Sequence, residues 1–159
     1  LPMFLMGHGM GGLAAGLHAL AHPRKLAGLI CESIDLDLPT PALVLGIVRG
    51  LAAIVPRLPV LERFHSRNRF HASLAQLSVP LLVLHGSADI VTLPSGSEYL
   101  HKHAGSHDKT LQIFEGYYHD LISDLGHEHV IERIRQWIEA RLNPDHRGQI
   151  GIAYINTDS

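Results

Sequence analysis

The chain has 159 residues, 46% of them hydrophobic and 18% charged, with a formal net charge of -2. That size and apolar content suit one globular domain with a buried core and exclude a disordered chain. The near-neutral balance gives no reason to expect nucleic acid as a partner, and a single cysteine, Cys31, excludes an internal disulfide and suits a reducing compartment.

Residues 1–6 are predicted as an apolar strand that runs into Gly7-His8-Gly9-Met10-Gly11-Gly12. Residues 10–21 follow as a helix stopped by His22-Pro23, and residues 26–31 as a second buried strand. Residues 36–78 differ in character: an apolar run at 43–55, interrupted by Arg49, precedes a stretch at 58–77 that mixes Arg, His and Phe. The run is too short for a membrane span. A third strand is expected at 81–84, a helix at 95–103 and a fourth strand at 110–114. Residues 127–142 read as an amphipathic helix with Val130, Ile131, Ile134, Trp137, Ile138 and Leu142 on its apolar face, and residues 143–159 as a loose tail. Apolar strands alternating with helices imply a parallel sheet covered on both faces, an α/β fold.

Three loops carry the chemistry. A strand that turns sharply into a helix exposes the middle residue of the turn beside the first helical amides. In serine hydrolases with this device the pattern is G-x-S-x-G; here Gly9 stands where serine would be. After the third strand comes His85-Gly86-Ser87-Ala88-Asp89-Ile90-Val91, and after the fourth Glu115-Gly116-Tyr117-Tyr118-His119. Asp89 and His119 therefore fall at the carboxyl ends of parallel strands, where open α/β sheets bind ligands. A carboxylate can fix the tautomer of an imidazole, and that imidazole can take a proton from a hydroxyl nucleophile. His101, His103, His107, His127 and His129 read as surface residues. Alternate helix positions point apart, no cysteine cluster or HExxH motif is present, and no metal site or cofactor is expected.

The order Gly-His-x-Met-Gly-Gly, His-Gly-x-x-Asp-x-Val, Glu-Gly-x-x-His resembles the monoacylglycerol lipase and serine aminopeptidase (S33) group of α/β-hydrolases. The resemblance covers residues 1–142, read as one partial domain. It implies the carboxyl-terminal half of an α/β-hydrolase fold, with about four parallel strands, flanking helices and a shortened helical cap at about 36–78. It implies further that Asp89 and His119 are the triad acid and base, that Gly9 marks the lost nucleophile, and that the Met10 amide is one oxyanion donor. The implied substrate is an acylglycerol or another ester, hydrolysed without metal or cofactor. The sequence departs from the group at Gly9, in its compressed cap, and in having no earlier strands to supply a second oxyanion donor.

The resulting expectation is a catalytically dead member of a carboxylic ester hydrolase family. The alternative is a non-catalytic module that binds an acyl ligand or a protein. The chain starts at Leu1 with no basic-then-apolar leader, and the expected location is the cytoplasm, with contact to a membrane surface through the cap. Lacking the group's earlier strands, residues 2–6 would form an open apolar edge that invites self-association.

Overall fold

A computed structural model describes residues 1–36 and 59–142, with side chains described from residue 66 onward in the second stretch. The apolar run at 43–55, the larger part of the expected cap and the tail at 143–159 lie outside the described residues.

Four strands form: β1 (Phe4–His8), β2 (Gly28–Glu32), β3 (Leu81–Gly86) and β4 (Lys109–Phe114). They pair in parallel in the order β1-β2-β3-β4. The two central strands are buried along their whole length, so both sides of each are largely apolar, and up to Cys31 and Leu84 they read as hydrophobic runs. Alternate residues then serve opposite faces. Leu29, Cys31, Leu81 and Val83 join Leu13 of α1 (Met10–Ala21), Phe70 of α2 (Pro59–Ser73) and Leu100 of α3 (Pro94–His103). Ile30, Leu82 and Leu84 point the other way and pack with Leu121 and with Val130 and Trp137 of α4 (His127–Leu142). Phe70, counted with the cap in the sequence, is fully buried in the sheet's own core.

The first two strands shift toward the carboxyl end of the sheet. The first strand starts at Phe4 and continues through His8, and the second extends to Glu32, because parallel pairing runs on to the partners His8 and Glu32. A charged residue survives inside a buried strand because the Glu32 carboxylate accepts the Leu121 amide at 2.8 Å. The apolar face of α4 is also narrower than its sequence suggests. Val130 and Trp137 are buried and Ile134 and Ile138 pack partly, while Ile131 and Leu142 stay exposed. Among the described residues β1 pairs only with β2, and no helix is long and apolar enough to cross a membrane.

The strand-to-helix turn is closely packed against its own backbone. A Cβ on Gly7 would lie 2.3 Å from the Gly11 carbonyl oxygen, whereas one on Gly11 would meet nothing within 4 Å. Gly7→Ala is therefore expected to cost at least about 2 kcal/mol by overpacking. Gly11→Ala, in the first turn of α1, should fall within about 1 kcal/mol of the parent. Urea midpoints of the two variants check this, and equal destabilisation would contradict the packing.

Candidate active site

The turn places Gly9 at φ 53 and ψ -119, as the residue that caps α1. Its amide donates to the Glu32 carbonyl at 2.9 Å and its carbonyl accepts the Gly12 amide at 3.1 Å, so the reversal is fixed from both sides. A positive φ of this kind penalises any residue with a Cβ. Met10 is the first helical residue, so its amide is one of the donors left without an intrahelical acceptor. A Cβ built on Gly9 would lie 3.9 Å from His119 Nε2.

His119 stands in the loop after β4, and its Nδ1 lies 2.8 Å from Asp89 Oδ2. Asp89, in the loop after β3, is almost fully buried and collects further donors. The Val91 and Thr92 amides donate to its Oδ1 at 2.8 and 3.0 Å, and the Thr92 hydroxyl donates to Oδ2 at 2.8 Å. Burial alone would raise the Asp89 pKa. The hydrogen bonds from His119, Thr92 and Val91 outweigh it and bring the value down from 3.8 to about 2. An ionised Asp89 accepts the hydrogen on His119 Nδ1, which leaves Nε2 of the neutral ring as an acceptor. The sequence-expected Gly9, Asp89 and His119 thus come together at one edge, with Met10 beside them.

Other residues belong to this cluster and were given no role by the sequence. His85 is buried at the end of β3, with Nε2 3.2 Å from Asp89 Oδ2 and 3.1 Å from the Thr92 carbonyl, and Nδ1 2.7 Å from Ser97 Oγ. Burial holds its pKa below the ordinary value, against the opposing pull of the Thr92 carbonyl and Asp89, so it serves as a neutral brace. His8 Nε2 lies 3.1 Å from His119 Nε2 and donates to it when both rings are neutral. Glu32 is buried beside His8. Burial raises its pKa, partly opposed by His8 and by the amides of Leu121 and Ile122. Ser33 follows at φ 46, a left-handed conformation costing roughly 1–3 kcal/mol in a non-glycine residue. In the sequence His8 and His85 stand inside the quoted motifs, whereas only an end-of-strand position could have flagged Glu32 and Ser33. Cys31 is buried, with its thiol pushed up to about 12, and is no nucleophile.

Among the described residues one group brings metal-ligand donors together, His8, Glu32 and Asp120. The histidines weighed in the sequence stand apart from it: His103 stacks on Tyr99, and His101, His107, His127 and His129 are at least partly exposed.

Residues 60–126 match a family described as serine aminopeptidase, S33. The human monoglyceride lipase is 31% identical over 180 residues, covering 89% of this chain and 59% of the relative. That alignment is longer than the chain, so within it the relative carries residues that have no counterpart here. An Arabidopsis thaliana caffeoylshikimate esterase is 34% identical over 91 residues, covering 55% of this chain and 27% of the relative. The crystal structure of a Paleococcus ferrophilus monoacylglycerol lipase superposes with a TM-score of 0.72 at 26% identity, covering 88% of this chain and 69% of that one. The chain spans about three-fifths of the length of the curated monoglyceride lipases it matches.

The depressed Asp89 pKa sets a pH window. A carboxylate whose pKa is lower in the folded state stabilises the fold above its unfolded value and loses that contribution as pH falls through the folded one. Between pH 3.8 and about 2 the fold should lose on the order of 2 kcal/mol at this site. The stability gap between the parent and Asp89→Asn, measured by urea denaturation at pH 6, should close by pH 2. A gap of constant size would show that Asp89 is not held ionised by these bonds.

Proposed function

Because the chain belongs to the α/β-hydrolase superfamily, in its monoacylglycerol lipase and serine aminopeptidase (S33)-like family, we propose that it keeps the acid–base half of an ester-hydrolysing site without the nucleophile. In this proposal His119 is the general base and acid, Asp89 orients it, the Met10 amide is an oxyanion donor, and Gly9 holds the place of the attacking serine. The ligand class is an acyl ester, with monoacylglycerol the nearest example from the names of the relatives. The observation that carries the proposal is the 3.9 Å between a Cβ on Gly9 and His119 Nε2, which would put a serine hydroxyl within hydrogen-bond reach of the base. Imidazole can then take the hydroxyl proton as oxygen attacks the ester carbonyl. Glycine removes that atom and relaxes the turn, so the chain as it stands is proposed to be silent toward esters.

A second reading, a non-catalytic module for an acyl ligand or a protein, is favoured by the apolar residues exposed around the site. Ile90, Val91 and Leu93 on the loop after β3, and Tyr118 and Leu125 on the loop after β4, are all more than half exposed. Among the described residues β1 pairs with β2 alone, and with Met6 on it and Met3 before it exposed this favours self-association through that edge.

Gly9→Ser tests the proposal. With a short p-nitrophenyl ester the variant should exceed the parent about 100-fold, the scale of general-base assistance. A fluorophosphonate probe should label residue 9 in the variant alone, and adding His119→Ala should abolish both signals. The variant should also lose about 1–3 kcal/mol of stability from the positive φ. Parent hydrolysis that disappears in His119→Ala would overturn the inactive reading. Silence in both proteins, with saturable binding of a fluorescent fatty-acid analogue, would favour the module.

A further inference from the structure

Beside the imidazole of His119 lies a second set of polar groups that the ester chemistry does not use. His8 ends β1 and Glu32 ends β2, and the two are direct partners in the parallel register. Asp120 follows His119 in the loop after β4. One ligand atom from each of His8, Glu32 and Asp120 lies within 4.8 Å of the other two. We propose that these three residues form a binding site for a divalent transition-metal ion of the zinc class.

The donor set argues for that class. One imidazole nitrogen with two carboxylates is a mixed N,O set, which suits zinc and its first-row neighbours, whereas magnesium prefers oxygen donors and retained water. Three protein ligands leave at least one coordination position open. The elements that supply the donors differ in rigidity in a useful way. His8 and Glu32 are held by strand pairing, and Glu32 is further oriented by the Leu121 amide on its Oε1. Asp120 is exposed, so an ion has a path from solvent. Bonds of about 2.0–2.2 Å put two ligands of a tetrahedral ion about 3.5 Å apart. The donors must therefore draw in by up to about 1.3 Å, and the exposed Asp120 side chain can supply the part that involves its own carboxylate. His8 Nε2 is also 3.1 Å from His119 Nε2, and His119 Nδ1 is tied to Asp89. An ion at the cluster would sit one imidazole away from the acid–base pair.

Isothermal titration of the metal-free full chain with zinc chloride should show one saturable site, and titration with magnesium chloride none. His8→Ala and Asp120→Asn should each weaken zinc binding tenfold or more, a loss that even an outer partner of a metal ligand can cause. Circular dichroism should remain that of the parent in Asp120→Asn, since that side chain is exposed, and this keeps the test valid if His8→Ala misfolds. Cobalt(II) in place of zinc should give visible d–d absorption that Asp120→Asn removes. Absence of saturable zinc binding would overturn the proposal. So would binding that survives Asp120→Asn and is lost in the double variant His101→Ala/His103→Ala, which would place the ion on surface histidines. None of these readouts depends on ester hydrolysis, so the proposal for the acid–base pair can fail or stand separately.

Discussion

The chain reverses from strand to helix within one residue, and the site depends on that reversal. β1 arrives at His8, Gly9 takes a positive φ, and α1 begins at Met10. The turn closes this tightly because Gly7 presents no Cβ to the backbone of Gly11 and Gly12. Its direction is then held by the Gly9 amide on the Glu32 carbonyl, so the neighbouring strand dictates where residue 9 points. A looser turn would carry residue 9 away from the imidazole of His119.

Parallel pairing does the rest of the positioning. All four strands end at the same edge, so loops distant in sequence meet there. Asp89 is the electrostatic centre of that edge. Two backbone amides, one hydroxyl and the His119 ring converge on its carboxylate, and His85 lies against it from below, braced by Ser97. A buried carboxylate would be costly if any of these partners were missing. Their convergence keeps it charged and thereby sets the tautomer of His119.

In the proposed reading, glycine in place of serine at the turn changes the chemistry with little consequence for shape. The positive φ that a serine would have to bear is one that glycine adopts freely, so the scaffold has no energetic reason to collapse when the hydroxyl goes. His8 occupies the hydrogen-bonding position at His119 Nε2. Nε2 of the half-buried imidazole therefore keeps a protein partner without a hydroxyl at residue 9.

The sequence alone determined the α/β class, the four parallel strands, the helices at 10–21 and 127–142, and the two loops carrying Asp89 and His119. Each of these follows from local information: hydrophobic period, glycine density, and motif order along the chain. It did not determine that β1 and β2 would continue into His8 and Glu32, because polar residues at strand ends look like loop until the register of a neighbouring strand is known. It also overstated the apolar face of the last helix, since Ile131 and Leu142 have the right spacing and no surface to cover them. The roles of His8, Glu32, His85 and Thr92 were decided only by tertiary structure. Their partners lie on other strands and loops, and a contact between residues 8 and 119 or 32 and 121 leaves no trace in local pattern.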